Sequence, residues 1–145
     1  MKFSRVISLA ALFAASFGFV ACDDSSSASS DEKAGYDCSV KGGVKVVYPA
    51  GGEKFKMGET ITVIYGSDIQ GTGFRFVYKV DKDDLGDDMF EESMGPEHPD
   101  GKTCYEQKVV LDSNYSEPSD EAIIRVIPYE NTSKAGNSGT FKVSK

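Results

Sequence analysis

His98 is the only histidine in this 145-residue chain, and it stands between Pro96 and Pro99 in a stretch rich in turn-forming residues. General acid–base catalysis and zinc ligation both need further positioned groups. No Gly-x-Ser-x-Gly elbow, His-Glu-x-x-His helix or phosphate loop supplies them. His98 therefore reads as a solvated loop residue. The densest chemistry is acidic. Asp81, Asp83, Gly86, Asp87 and Glu92 fall at the first, third, sixth, seventh and twelfth places of a loop spacing that wraps calcium in hard oxygens. Leu85 occupies the fifth place, where an oxygen is needed, and the flanking sequence alternates as strands do. A solvent-facing acidic turn is the favoured reading, with a calcium loop as the alternative. The remaining carboxylates crowd into turns and form no pair set across a cleft, as glycoside hydrolysis requires. Neither an enzyme nor a bound cofactor is expected.

Aromatic faces are the other resource. Tyr36, Tyr115 and Tyr129 lie outside, or at the ends of, the strand-like segments and are candidates for exposure. An exposed tyrosine ring can stack on a sugar, although packing at a core edge is the commoner fate of such residues. The chain has no tryptophan.

The three cysteines have separate settings. Lys2 and Arg5 precede an apolar run over residues 6–20, which ends in Phe19, Val20, Ala21 and Cys22. A positive start and an apolar segment of this length form an export signal, shorter than the roughly 20 apolar residues that span a membrane. Small residues before a cysteine are the mark of a lipoprotein processing site. The expectation is cleavage after Ala21 and lipid on the Cys22 thiol, so that residues 1–21 are a signal peptide and the chain is held on the outer or periplasmic surface of a bacterial membrane. Residues 22–35 offer no apolar side chain larger than alanine after Cys22. They cannot bury enough surface to offset chain entropy and are expected to form a flexible stalk. Cys38 and Cys104 remain, an even pair in an oxidising compartment, and are expected to form a disulfide. There is no C-x-x-C pair and no histidine pair to complete a zinc site.

Charge narrows the partners. The net charge is −7, and it becomes more negative still when Lys2 and Arg5 leave. Nucleic-acid backbones and anionic headgroups would repel such a body. The expected partners are the membrane, reached through the lipid, and an envelope protein or glycan.

These residues must be held by strands. Val44, Val46 and Tyr48 alternate, as do Ile61, Val63 and Tyr65, and Phe74, Phe76, Tyr78 and Val80. On this pattern Arg75 and Lys79 point away from the core. Residues 105–111, 122–127 and 139–143 carry the same period, with Val109, Leu111, Ile124, Val126, Phe141 and Val143 inward. Apolar residues at period two fit a half-buried pleated surface, and Gly-, Pro- and Asp-rich turns separate the segments. No helical stripe is available to cover a single sheet. Residues 36–145 are thus expected to form one all-β domain, a β-sandwich of six or seven short strands.

The segment from Tyr48 to Tyr65, with Pro49, Gly51, Gly52, Glu53, Phe55, Gly58, Glu59, Ile61 and Val63 at fixed places, resembles the opening of the Ser-Thr-rich GPI-anchored fungal wall-protein domain and its bacterial relatives. The stretch from Ala122 onward, ending in Ser138, Gly139, Thr140, Phe141, Lys142 and Val143, is similar to the family's closing strands. Tyr65 takes the place of the family's tryptophan, and residues 81–104 match nothing in it. The resemblance implies an immunoglobulin-like sandwich of a surface or wall protein, with no enzymatic activity and no defined ligand residues.

Overall fold

The computed structural model describes residues Gly35–Lys145, which form one compact unit; the expected signal peptide, Cys22 and the Ser-rich stretch lie outside the described residues. Nine strands follow one another: β1 (Val44–Tyr48), β2 (Lys54–Lys56), β3 (Thr60–Ser67), β4 (Phe74–Lys79), β5 (Asp87–Asp88), β6 (Tyr105–Val110), β7 (Ser119–Pro128), β8 (Gly136–Asn137) and β9 (Phe141–Ser144). A 3-10 turn, Thr132–Lys134, precedes β8. The six alternating segments of the sequence are β1, β3, β4, β6, β7 and β9. The other three strands are two or three residues long, too short to show a period.

Two sheets face each other. One has the order β1-β3-β6, the other β2-β9-β7-β4-β5, with β8 also paired to β7. All pairings are antiparallel except β2 with β9, which is parallel. The chain crosses between sheets immediately after β1, through a cis Tyr48–Pro49 bond, so the first edge is divided: β1 lies on one sheet and β2 on the other.

The core follows the alternation, with Val44, Val46 and Val80 only partly buried and packed against its rim. Ile61, Val63 and Tyr65 of β3 and Val109 of β6 meet Phe74, Phe76 and Tyr78 of β4, Ala122, Ile124 and Val126 of β7, and Phe141 and Val143 of β9. Tyr65 is central, with its ring edge-on to both Phe74 and Phe76 at 5.5 Å between centroids. One face of each sheet would stay wet without the other, and this interdigitation is what makes two layers stable.

Two departures from simple alternation have local causes. Strand β3 is buried on both faces from Ile61 to Ser67. Gly66 lies against Cys38, so closely that a Cβ there would sit 2.0 Å from the Cys38 carbonyl oxygen, and the Lys108 ammonium donates to Thr62 Oγ1 at 2.9 Å. The second departure corrects an expectation. Lys79 does not point into solvent but is only 8% exposed, because the loop between β4 and β5 folds over its stem. Gly86 comes so near that an added Cβ would meet Val77 and Lys79 within 3 Å, and the Lys79 ammonium donates to the Lys82 carbonyl at 3.1 Å.

Cys38 and Cys104 are joined in a disulfide, with Cα atoms 5.2 Å apart. Around it the N-terminal segment is clasped. Val40 N–H donates to the Gly101 carbonyl and Gly101 N–H to the Ser67 carbonyl, while the Asp68 carboxylate accepts from the amides of Gly42 and Gly43. The turn leading to Cys104 is organised by Asp100, which accepts from Lys102 N, Thr103 N and Thr103 Oγ1. Those bonds, the Thr103 hydroxyl foremost, lower the Asp100 pKa from 3.8 to about 2. A carboxyl depressed in the fold stabilises it above its unfolded pKa and loses that contribution as pH falls through the folded value. Asp100→Asn is therefore expected to lower the urea midpoint at pH 5, with the gap from the parent chain closing as pH falls from about 4 toward 2. A gap that stays constant across that range would show that the ionised carboxylate is not what holds the turn.

Candidate functional site

A groove of about 490 Å³ lies beside the β5 edge, lined by Asp88, Met89, Phe90, Glu91, Asn114, Tyr115 and Tyr129. That volume is within the range of small-ligand sites, about 300–1,000 Å³. Three separate pieces of chain build it. Strand β5 pairs with β4, placing Asp88 opposite Val77, and Met89 N–H continues the pairing to the Phe76 carbonyl at 2.8 Å. The Met89 side chain turns inward and is buried. Phe90 then rests edge-on against Phe76, with centroids 6.0 Å apart at 89°.

Arg75, on the outer side of β4, grips Asp88 with both arms of its guanidinium: Nε to Oδ1 at 2.9 Å and Nη2 to Oδ2 at 3.1 Å. This pairing raises the Arg75 pKa. It also neutralises Asp88 within the wall while leaving Glu91 as an exposed carboxylate.

The second piece is the turn after β6. Asp112 accepts from Asn114 N through its side chain and from Tyr115 N and Ser116 N through its carbonyl. The turn thus presents Asn114 outward and lays Tyr115 along the core edge. The Tyr115 hydroxyl donates to the Val110 carbonyl at 2.7 Å, and burial raises its pKa. The third piece is Tyr129, just beyond β7, whose N–H donates to the Gly73 carbonyl at 3.1 Å. Its side chain is free to meet solvent, at 38% exposure.

Of the three tyrosines singled out in the sequence, Tyr115 and Tyr129 thus share one groove. Tyr36 does not join them: it packs edge-on against Tyr48, at 6.3 Å between centroids. Asp88 and Phe90 were not singled out by sequence, since no local spacing marks them as partners of Asn114, Tyr115 and Tyr129. Only the β4–β5 pairing and the Asp112 turn bring them to the same place.

The other candidates are dispersed. His98 sits on an exposed loop with Nδ1 3.0 Å from Gln70 Oε1, and Gln70 in turn donates to the Pro99 carbonyl. In the acidic loop, Asp81 Oδ1 accepts from Asp83 N and Asp84 N, Asp84 accepts from Val80 N, and Asp83 pairs with Lys82. Hydrogen bonding from Val80 lowers the Asp84 pKa, and the Lys79 charge adds to the shift. The cation beneath this loop is the chain's own Lys79. Asp87 lies in β5 instead, and Glu92 is exposed further along. The structure does not bring Asp81, Asp83, Asp87 and Glu92 together; among the described residues no three His, Cys, Asp or Glu side chains converge on a metal position.

Comparisons of the chain with protein-family models, with curated proteins and with solved structures find no match.

Proposed function

We propose that this chain is a lipid-anchored, non-catalytic module of the bacterial envelope, carried on an immunoglobulin-like sandwich of the wall-protein type. The observation that carries the reading is the N-terminal sequence, in which Lys2, Arg5 and the apolar run lead to Ala21 and Cys22. The divided first edge supports the immunoglobulin-like assignment: β1 pairs antiparallel with β3, whereas β2 pairs parallel with β9. The disulfide suits an exported protein, because such bonds persist in oxidising compartments. The exposed, singly bonded His98 and the self-occupied acidic loop favour recognition over catalysis.

The test is chemical. The precursor is expected to incorporate labelled fatty acid, and Cys22→Ser is expected to abolish both labelling and retention in the membrane fraction. Equal labelling of the Ser variant would remove the lipid anchor from the proposal.

A second reading, a carbohydrate-binding accessory, is favoured by one observation: Tyr115 and Tyr129 line the same groove.

A further inference from the structure

We infer that the β5-edge groove binds an uncharged saccharide, with the Tyr129 ring as its stacking platform and the Glu91 carboxylate and Asn114 amide as its polar contacts. This deepens the carbohydrate reading and rests on it. A pyranose has an apolar C–H face and a rim of hydroxyls, so its site needs a ring to lie against and acceptors at the edge. Tyr129 provides the ring, since it is the groove aromatic most open to solvent. Phe90, held edge-on by Phe76, and Tyr115, held by Val110, are fixed walls that do not have to be ordered on binding, which spares the ligand an entropic cost.

Charge selects the class of sugar. Arg75, the basic group bonded to the groove wall, is already engaged bidentately by Asp88, and Glu91 forms no ion pair among the described residues. The groove therefore has hydrogen-bond acceptors for hydroxyl donors and no free cation for a uronate, sulfate or phosphate. An acidic glycan would meet like charge in the groove, on a domain that is acidic as a whole. Neutral hydroxyls would donate to Glu91 in charge-assisted hydrogen bonds.

The experiment uses the full lipidated chain in detergent, titrated with neutral oligosaccharides built from glucose, mannose, galactose and N-acetylglucosamine, with an acidic oligogalacturonate and with a proline-rich peptide. At least one neutral oligosaccharide is expected to bind. Tyr129→Phe should keep that affinity and Tyr129→Ala should lose at least tenfold, with an unchanged melting curve showing that the fold is intact. Asp88→Asn, which releases Arg75, should narrow the preference for neutral over acidic ligand severalfold. Neutral binding that survives Tyr129→Ala would overturn the groove assignment and leave the carbohydrate reading standing. Preference for the oligogalacturonate would overturn the charge class. Binding of the peptide alone, or of nothing, would overturn this inference and the carbohydrate reading together, and the lipid anchor would be untouched.

Discussion

Replacing Phe76 by alanine is expected to lower the stability of the domain by about 3–5 kcal/mol, the usual cost of emptying an aromatic site in a packed core. Phe76 is 1% exposed, its ring meets Tyr65 on the facing sheet, and it is the support against which Phe90 stands. Truncation removes contacts to both sheets at once, and the neighbouring aromatic rings are too rigid to collapse into the space. Small domains are stable by about 5–15 kcal/mol, so this one substitution would consume a large share. Urea denaturation of Phe76→Ala beside Arg75→Ala makes the check. The Arg75 variant loses a half-exposed ion pair with Asp88, worth about 0–1 kcal/mol in such settings. Comparable losses from the two variants would break the assignment of faces along β4. Lys79→Ala belongs between them, because its stem is covered by the β4–β5 loop.

Removing the disulfide is the other change with a large expected effect. The bond joins residues 66 apart in sequence. Closing a loop of that length is worth about 4 kcal/mol on the chain-entropy model, and less where the unfolded chain keeps some structure. The N-terminal segment has little else to hold it. Cys38 is buried against Gly66, and the remaining ties are the Tyr36–Tyr48 ring contact, the Lys45–Asp37 ion pair, single backbone bonds and the half-buried Asp68 clasp. A double Cys38→Ala and Cys104→Ala chain, which leaves no free thiol, is expected to show a clearly lower urea midpoint than the parent, and reductant should shift the parent toward the same value. A parent midpoint that does not move on confirmed reduction would show that the bond contributes nothing to stability.

The strands were legible where the alternation ran long enough. Phe74, Phe76 and Tyr78 announce one inward face, and the facing strand offers Ile61, Val63 and Tyr65 to match. Strands β2, β5 and β8 were not legible, because pairs and triplets such as Asp87–Asp88 become strands only when a neighbour supplies the hydrogen bonds. Lys79 departs from the pattern for a related reason: period two reports which face a residue occupies, not whether a loop returns to cover that face. The Cys38–Cys104 bond is legible once Cys22 is set aside for lipid, which leaves an even pair in a domain expected to be exported. The groove was half visible. Tyr115 and Tyr129 stood out as aromatics beyond strand ends, and Tyr36 stood out equally but packs on Tyr48. What separates them is tertiary, since Phe90 and Asp88 reach the groove through a pairing with β4 that no local pattern encodes.

The position of the disulfide also decides how the domain would respond to force. A pull applied through the N-terminal segment, and resisted at the far end of the chain, enters the fold at Cys38 and passes covalently to Cys104. Everything between, from β1 through β5, lies in a closed loop that carries no load and cannot be drawn out. At about 3.5 Å per extended residue, 66 residues of separation withhold about 230 Å of length. Only β6 to β9 can be peeled away while the bond is intact. Reduction would release the rest, giving the domain a short reach when oxidised and a long one when reduced.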